Sequence, residues 1–403
     1  MKKLSALLLA LAMTLSLVAC GGGNDPAPSE DPAPSDEVVE TEYKVAMITD
    51  YGDITDQSFN QTTYEACKEF CEANNVEFKY FKPAGDSTAE RVAMVDAAVA
   101  EGYNIMVMPG YAFGGTVVEA SPMYPDVKFV ALDVAAGDIL EAGVPAQGGT
   151  YDYNPANWDV TQYYNTDNTY CAIYQEELCG YMAGYAAVKL GYKHLGFLGG
   201  MAVPAVVRYG YGFVQGANAA AEEMGIAGEV TVEYVYGNQF FGDADITAYM
   251  DTWYGTMGVE VVFACGGGIF TSAAEAAAKV GGKVIGVDVD QAGIIDAYGE
   301  GMTVTSAMKG LAPTVKDTLD LIINQDKWAD LAGKIETLGL VSADPEANYV
   351  QIPMASTQWA DTFTQDDYKA LVAGMFDGSV VVSNDIAAEP ATTVTVNYLG
   401  TVK

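Results

Sequence analysis

Positive charge is scarce in this chain. Nineteen Lys and Arg stand against 54 Asp and Glu, and the formal net charge is −35. Such a surface repels a phosphate backbone, so nucleic-acid polymers are not expected as partners. It does not bar a small neutral ligand. The one His, His194, precedes a strand with no evident nucleophile partner and is read as a solvated loop residue. There is no Cys-x-x-Cys pair, and with a single His no metal site is expected. The G-x-x-x-x-G-K-[ST] loop and the G-x-S-x-G elbow are both missing, so phosphate-loop and serine-hydrolase chemistry lack their usual signatures. No catalytic group and no cofactor are expected. Beyond the N-terminus no apolar run approaches the roughly 20 residues of a membrane span.

The N-terminus itself reads as a targeting segment. Lys2 and Lys3 precede the apolar stretch Leu4 to Val18, and Leu17-Val18-Ala19-Cys20 is followed by three Gly. This resembles the bacterial lipobox, which implies removal of residues 1–19 and a lipid on Cys20. Residues 20–42, rich in Gly, Pro, Ser and acids, read as a flexible acidic tether. The expected location is extracytoplasmic, lipid-anchored at the cell membrane. The remaining five of the six Cys, namely Cys67, Cys71, Cys171, Cys179 and Cys265, are an odd number and are read as small core residues.

From Lys44 onward short apolar runs alternate with segments of helical periodicity, the pattern of an α/β chain with parallel, helix-covered sheets. Lys44 to Asp50 reads as the first strand, Tyr51 to Gln57 as a polar loop, and Ser58 as the N-cap of a helix. The rhythm lapses at 136–168, read as an irregular excursion, and resumes from Asn168. Two similar sets of strands and helices suggest two lobes. The expected division is 43–174 with 303–330 for the N-terminal lobe and 175–302 with 331–403 for the C-terminal lobe.

In open α/β sheets ligands bind at the carboxyl ends of strands, beside helix N-termini. Asp50, Asp133, Phe241, Gly267 and Asp288 all fall at or just after such ends. Carboxylates accept from vicinal hydroxyls, and aromatic faces suit a flat ring or a sugar face. Phe59, at the loop–helix junction, is either a stacking surface or a cap on the core. Lys309 either donates to a ligand or neutralises Asp288.

Several segments together resemble the basic membrane protein family of ABC-transporter solute-binding lipoproteins, of which the purine nucleoside receptor is the best understood type. They are Asp56-Gln57-Ser58-Phe59-Asn60-Gln61, Tyr124-Pro125-Asp126 with the strand after it, Glu176-Glu177 to Gly184, Phe197 to Met201, and Ile285-Gly286-Val287-Asp288-Val289-Asp290-Gln291. The resemblance implies a two-lobed type I periplasmic-binding-protein fold with three hinge crossovers, closing on a nucleoside and delivering it to an ABC permease. It implies stacking by Phe59 and, in the second lobe, by Phe241 or its neighbour Phe240. Asp133 would contact the base, Asp288 and Lys309 the ribose, and Gly267 would offer backbone. Ser58 and Asn60 would be polar neighbours. The chain departs from the family pattern at Gln57, where Lys is usual, and in the Tyr-rich 136–168 excursion. A monomer is expected. The alternatives are the same fold binding a sugar or signalling molecule, or a surface nucleoside hydrolase.

Overall fold

The computed structural model describes residues 43–403. The leader, the tether and Cys20 lie outside the described residues. In chain order the first part runs β1 (Lys44–Ile48), α1 (Phe59–Asn74), β2 (Glu77–Phe81), α2 (Thr88–Ala100), β3 (Ile105–Pro109), α3 (Gly114–Met123), β4 (Lys128–Leu132), α4 (Ala136–Ala146) and β5 (Thr169–Tyr174). The second runs α5 (Glu176–Lys189), β6 (His194–Gly199), α6 (Pro204–Glu223), β7 (Thr231–Tyr236), α7 (Ala244–Thr252), β8 (Val261–Cys265), α8 (Phe270–Ala278), β9 (Lys283–Asp288), α9 (Ala292–Ile295) and β10 (Thr303–Lys309). The chain then follows α10 (Leu311–Ile323), β11 (Ile335–Leu338), β12 (Val350–Gln351), α11 (Gln365–Asp377) and β13 (Thr395–Thr401).

Two sheets result, ordered β11-β5-β4-β3-β1-β2 and β12-β10-β9-β8-β6-β7-β13, parallel except for the β10–β12 pair. Strands such as β3 and β8 are buried at every position. Parallel strands covered by helices on both faces read as unbroken apolar runs for this reason. The five Cys are free and buried, packed as apolar residues.

The chain passes between the lobes at Tyr174–Glu176, at Lys309–Leu311 and between β11 and β12. The division between lobes differs from the expected one. Residues 303–309 do not return to the first lobe: β10 pairs with β9 in the second sheet, and only α10 crosses to pack on α1, with Lys316 paired to Glu69. Conversely β11, expected in the second lobe, pairs with β5 in the first sheet. A parallel strand, whether buried like β10 or at a half-exposed edge like β11, carries no local mark of which sheet it joins, so crossings are poorly signalled.

Three further expectations change. The 136–168 segment opens with a helix, α4, whose N-terminus is held by Asp138 Oδ2 accepting from Ala135 N at 2.7 Å; Gly137, Gly143 and Pro145 conceal it in the sequence. Ser58 does not cap α1. Asp56 does, accepting from the N–H groups of Ser58, Asn60 and Gln61 at 2.9–3.0 Å, where a carboxylate also complements the helix dipole. His194 is no loop residue: it opens β6 and its Nε2 lies 3.1 Å from buried Glu233. The edge strand β13 has no counterpart in the sequence reading.

Candidate ligand site between the lobes

The strand ends of both sheets and the N-termini of α1 and α6 enclose a cavity of ≈ 580 Å³, within the range of small-molecule sites. Asp50, Phe59, Asn60, Asp133, Phe241, Gly267, Asp288 and Lys309 all line it. Ser58 is not on its wall but stands directly behind: its Oγ donates to Asp288 Oδ2 at 2.7 Å, linking the lobes.

Two carboxylates reach the cavity from left-handed backbone. Asp133, after β4, has φ 60°, and Asp288, ending β9, has φ 66°. Non-Gly residues seldom adopt this conformation, and such strain concentrates at functional sites. Asp50 is held differently, its Oδ1 accepting from the N–H groups of Tyr51 and Gly52 at 2.7 Å each.

At the base of the cleft Lys309 is almost wholly buried. Its ammonium lies 2.5 Å from Asp133, 3.4 Å from Glu176 and 3.9 Å from Asp288, and 4.8 Å from the centre of the Phe59 ring. Burial alone would lower its pKa, but Asp133, Glu176 and Asp288 override that and raise it. Lys309 therefore stays charged. Burial pushes Asp133 up to about 6, against the opposing Lys309 charge, so at neutral pH it is chiefly an acceptor. Asp288 is likewise raised by burial, with Lys309 and Ser58 opposing. For Glu176 burial is outweighed by Arg208 and then Lys309, and its pKa is lowered. Arg208 Nε donates to Glu176 Oε2 at 2.7 Å. Tyr209 OH donates to Asp288 Oδ1 at 3.3 Å.

The two Phe of the second-lobe loop are distinguished by packing. Phe240 lies against Gly200 and Gly266 and 6.3 Å from the Tyr51 ring. Phe241 is 60% exposed and borders the cavity. The glycines after β8 serve this loop: Gly267 has φ 51°, and a Cβ there would stand 2.8 Å from the Phe240 carbonyl. Gly268 N donates to that carbonyl at 2.9 Å. Sequence reasoning missed Arg208 and Tyr209, and saw Glu176 only as part of a motif. The available signal was an Arg set among small and apolar residues in Val206-Val207-Arg208-Tyr209-Gly210.

Residues 43–343 match the Bmp family model, described as the PnrA-like ABC transporter substrate-binding proteins. The chain belongs to this family. It is accordingly an ABC transporter substrate-binding protein of the Bmp type, a class that takes a small-molecule ligand and works with permease partners. Among Bmp relatives, the ABC transporter nucleoside-binding protein BmpA of Lactococcus lactis is 25% identical over 330 residues, 77% of this chain and 82% of BmpA. Basic membrane protein B of Borreliella burgdorferi is 25% identical over 316 residues, 76% of this chain and 81% of that one. Relatives from Pyrococcus are named lipoproteins. The solute-binding protein of Conexibacter woesei superposes with a TM-score of 0.61 at 19% identity, covering 85% of this chain and 99% of its own. At that identity the likeness speaks for the two-lobed fold alone.

Proposed function

We propose that this Bmp protein binds a nucleoside in the cleft between its lobes, releases it unchanged to a membrane permease, and is held at the cell membrane by a lipid on Cys20. The observation that carries the reading is that eight residues picked from scattered strand ends and from the start of α1 border one cavity, with an aromatic face and paired carboxylates together. Phe59 offers a ring to a flat base. Asp288 and Lys309 offer an acceptor and a donor to ribose hydroxyls. Phe241 offers a second ring from the other lobe. The nucleoside named for the Lactococcus relative supports the same choice. Ligand contacts to both lobes would favour the closed arrangement, and release follows opening.

Calorimetric titration with inosine, guanosine, adenosine, uridine, ribose and galactose tests this. Nucleosides are expected to bind and free sugars to bind far more weakly; equal or tighter sugar binding would replace the reading. Phe59→Ala is expected to lower nucleoside affinity about tenfold, the worth of one stacking contact of about 1.4 kcal/mol. Chromatography of inosine incubated with the protein is expected to return inosine alone; released hypoxanthine would make the protein a hydrolase. Cys20→Ala is expected to move the protein from the membrane to the soluble fraction.

A further inference from the structure

The buried charges of the cleft wall form a series of alternating sign: Asp133, Lys309, Glu176, Arg208. Its inner links are satisfied. Lys309 holds Asp133 Oδ2 and Glu176 Oε1, and Glu176 Oε2 takes the Nε proton of Arg208. Its two ends are not. Asp133 Oδ1 is buried with no hydrogen-bond partner, on a side chain only 10% exposed. Among the described residues no acceptor meets the terminal nitrogens of Arg208, which pairs through Nε alone. Both residues border the cavity. Each lies in the other's field, since Asp133 is among the charges that hold the Arg208 pKa up. The wall thus offers one acceptor and one set of donors, both fixed by partners behind them. Burying either without a complement is unfavourable.

A ligand that suits both ends presents a donor beside an acceptor. Nucleobases do this with a lactam edge, N–H next to C=O, as in hypoxanthine, guanine and uracil. Adenine and cytosine present the reverse, a bare ring nitrogen next to an amino group. With the ribose held at Asp288 and Lys309 the base cannot turn end for end, so the ring nitrogen would meet the Asp133 carboxylate and the amino group the Arg208 guanidinium, two like-against-like contacts. We propose that Asp133 and Arg208 together read the edge of the base, selecting lactam nucleosides over amino nucleosides. This rests on the nucleoside reading above and adds the residue that sets specificity, Arg208.

The test is calorimetry on the full chain with two matched pairs, inosine against adenosine and uridine against cytidine. Sites built to hydrogen-bond a polar edge discriminate strongly, so the lactam member of each pair is expected to bind at least about 100-fold tighter. In Arg208→Met the preference is expected to fall below about tenfold. A residue that only supported the fold would lower all four affinities together and leave their ratios alone. Because Arg208→Met leaves Glu176 with Lys309 as its one remaining cation, a second variant is needed where that protein does not fold. Asp133→Asn supplies a donor as well as an acceptor and is expected to raise adenosine affinity relative to inosine. Adenosine bound within about threefold of inosine by the unaltered protein overturns the proposal while the nucleoside reading stands. Ratios unchanged in both variants overturn the assignment to these residues. Binding of ribose or galactose but of no nucleoside overturns both readings together.

Discussion

Lys309 is the cation on which carboxylates from both lobes converge, and its value lies in what its loss would leave behind. Replacing it by Met would leave Asp133, Glu176 and Asp288 mutually repelling inside the protein, with Arg208 relieving only one of them. Breaking a buried ion pair from one side costs about 3–5 kcal/mol. Lys309→Met is expected to lose about that much stability at pH 7 and to recover part of it at pH 5, where the stranded carboxyls take up protons. Urea denaturation at the two pH values measures this; an equal loss at both would mean the carboxyls are not the cause. The residues at strand ends were legible from the sequence because a polar residue after an apolar run marks both the end of a strand and the place where ligands sit. Arg208 was not legible. It lies within the body of a helix, where a lone Arg ordinarily points to solvent, and only its contact with Glu176 turns it inward.

The element that positions this charge series is the pair α5 and α6, which meet along a seam of glycines. A Cβ on Gly184 would lie 2.0 Å from the Phe213 carbonyl oxygen, and one on Gly216 2.0 Å from that of Tyr181. The backbones therefore touch, and this contact sets the distance between Glu176 at the start of α5 and Arg208 in α6. Gly184→Ala is expected to cost about 1–3 kcal/mol by overpacking and to weaken ligand binding by shifting Arg208, measurable by denaturation and calorimetry on the same variant. The same helix carries a titrating group. Glu177 is 3% exposed, its Oε2 has no partner, and burial pushes its pKa from 4.5 up to about 7. Between those values the folded protein binds more protons than the unfolded chain, so stability falls as pH rises through that window and levels off above it. Asp138, pushed by burial to about 7, acts in the same sense. Glu177→Gln is expected to be more stable than the parent at pH 8, by up to about 3 kcal/mol, with the difference closing by pH 4.5. A difference independent of pH would remove Glu177 as the cause. Among the elements, those with an unbroken apolar run were readable. α4 was hidden by its glycines and proline, and β13 by being an edge strand whose residues are mostly exposed or half-exposed.

At the scale of the whole molecule, polar contacts among the described residues span the cleft: Lys309 to Asp133, Ser58 to Asp288, Gln291 Nε2 to the Gln57 carbonyl at 3.1 Å, and Tyr51 OH to Met201 Sδ at 3.3 Å. The lobes therefore stand in a closed arrangement, and opening must break these contacts. Ser58→Ala combined with Gln291→Ala removes two of them without touching the apolar core. The double variant is expected to show a larger radius of gyration by solution scattering without ligand, and the parent value at saturation. Identical ligand-free scattering would mean that other contacts hold the lobes together. Ligand at 100 times its Kd is expected to add about 2.7 kcal/mol of stability, read as a rise in Tm. The two-lobed plan was visible in the repeated strand–helix rhythm, but the route of the crossings was not, since neither β10 nor β11 carries a residue that marks which sheet it joins.

Those crossings interleave the lobes along the chain. The first sheet is completed by β11, at residues 335–338, after the strands β6 to β10 of the other sheet. Neither half can finish folding on a ribosome or behind a translocon until most of the polypeptide has emerged. A single protease cut in one crossing would likewise leave two fragments still interlocked by the other two, so the protein is expected to survive nicking as a non-covalent pair and to resist being divided into separately folded halves.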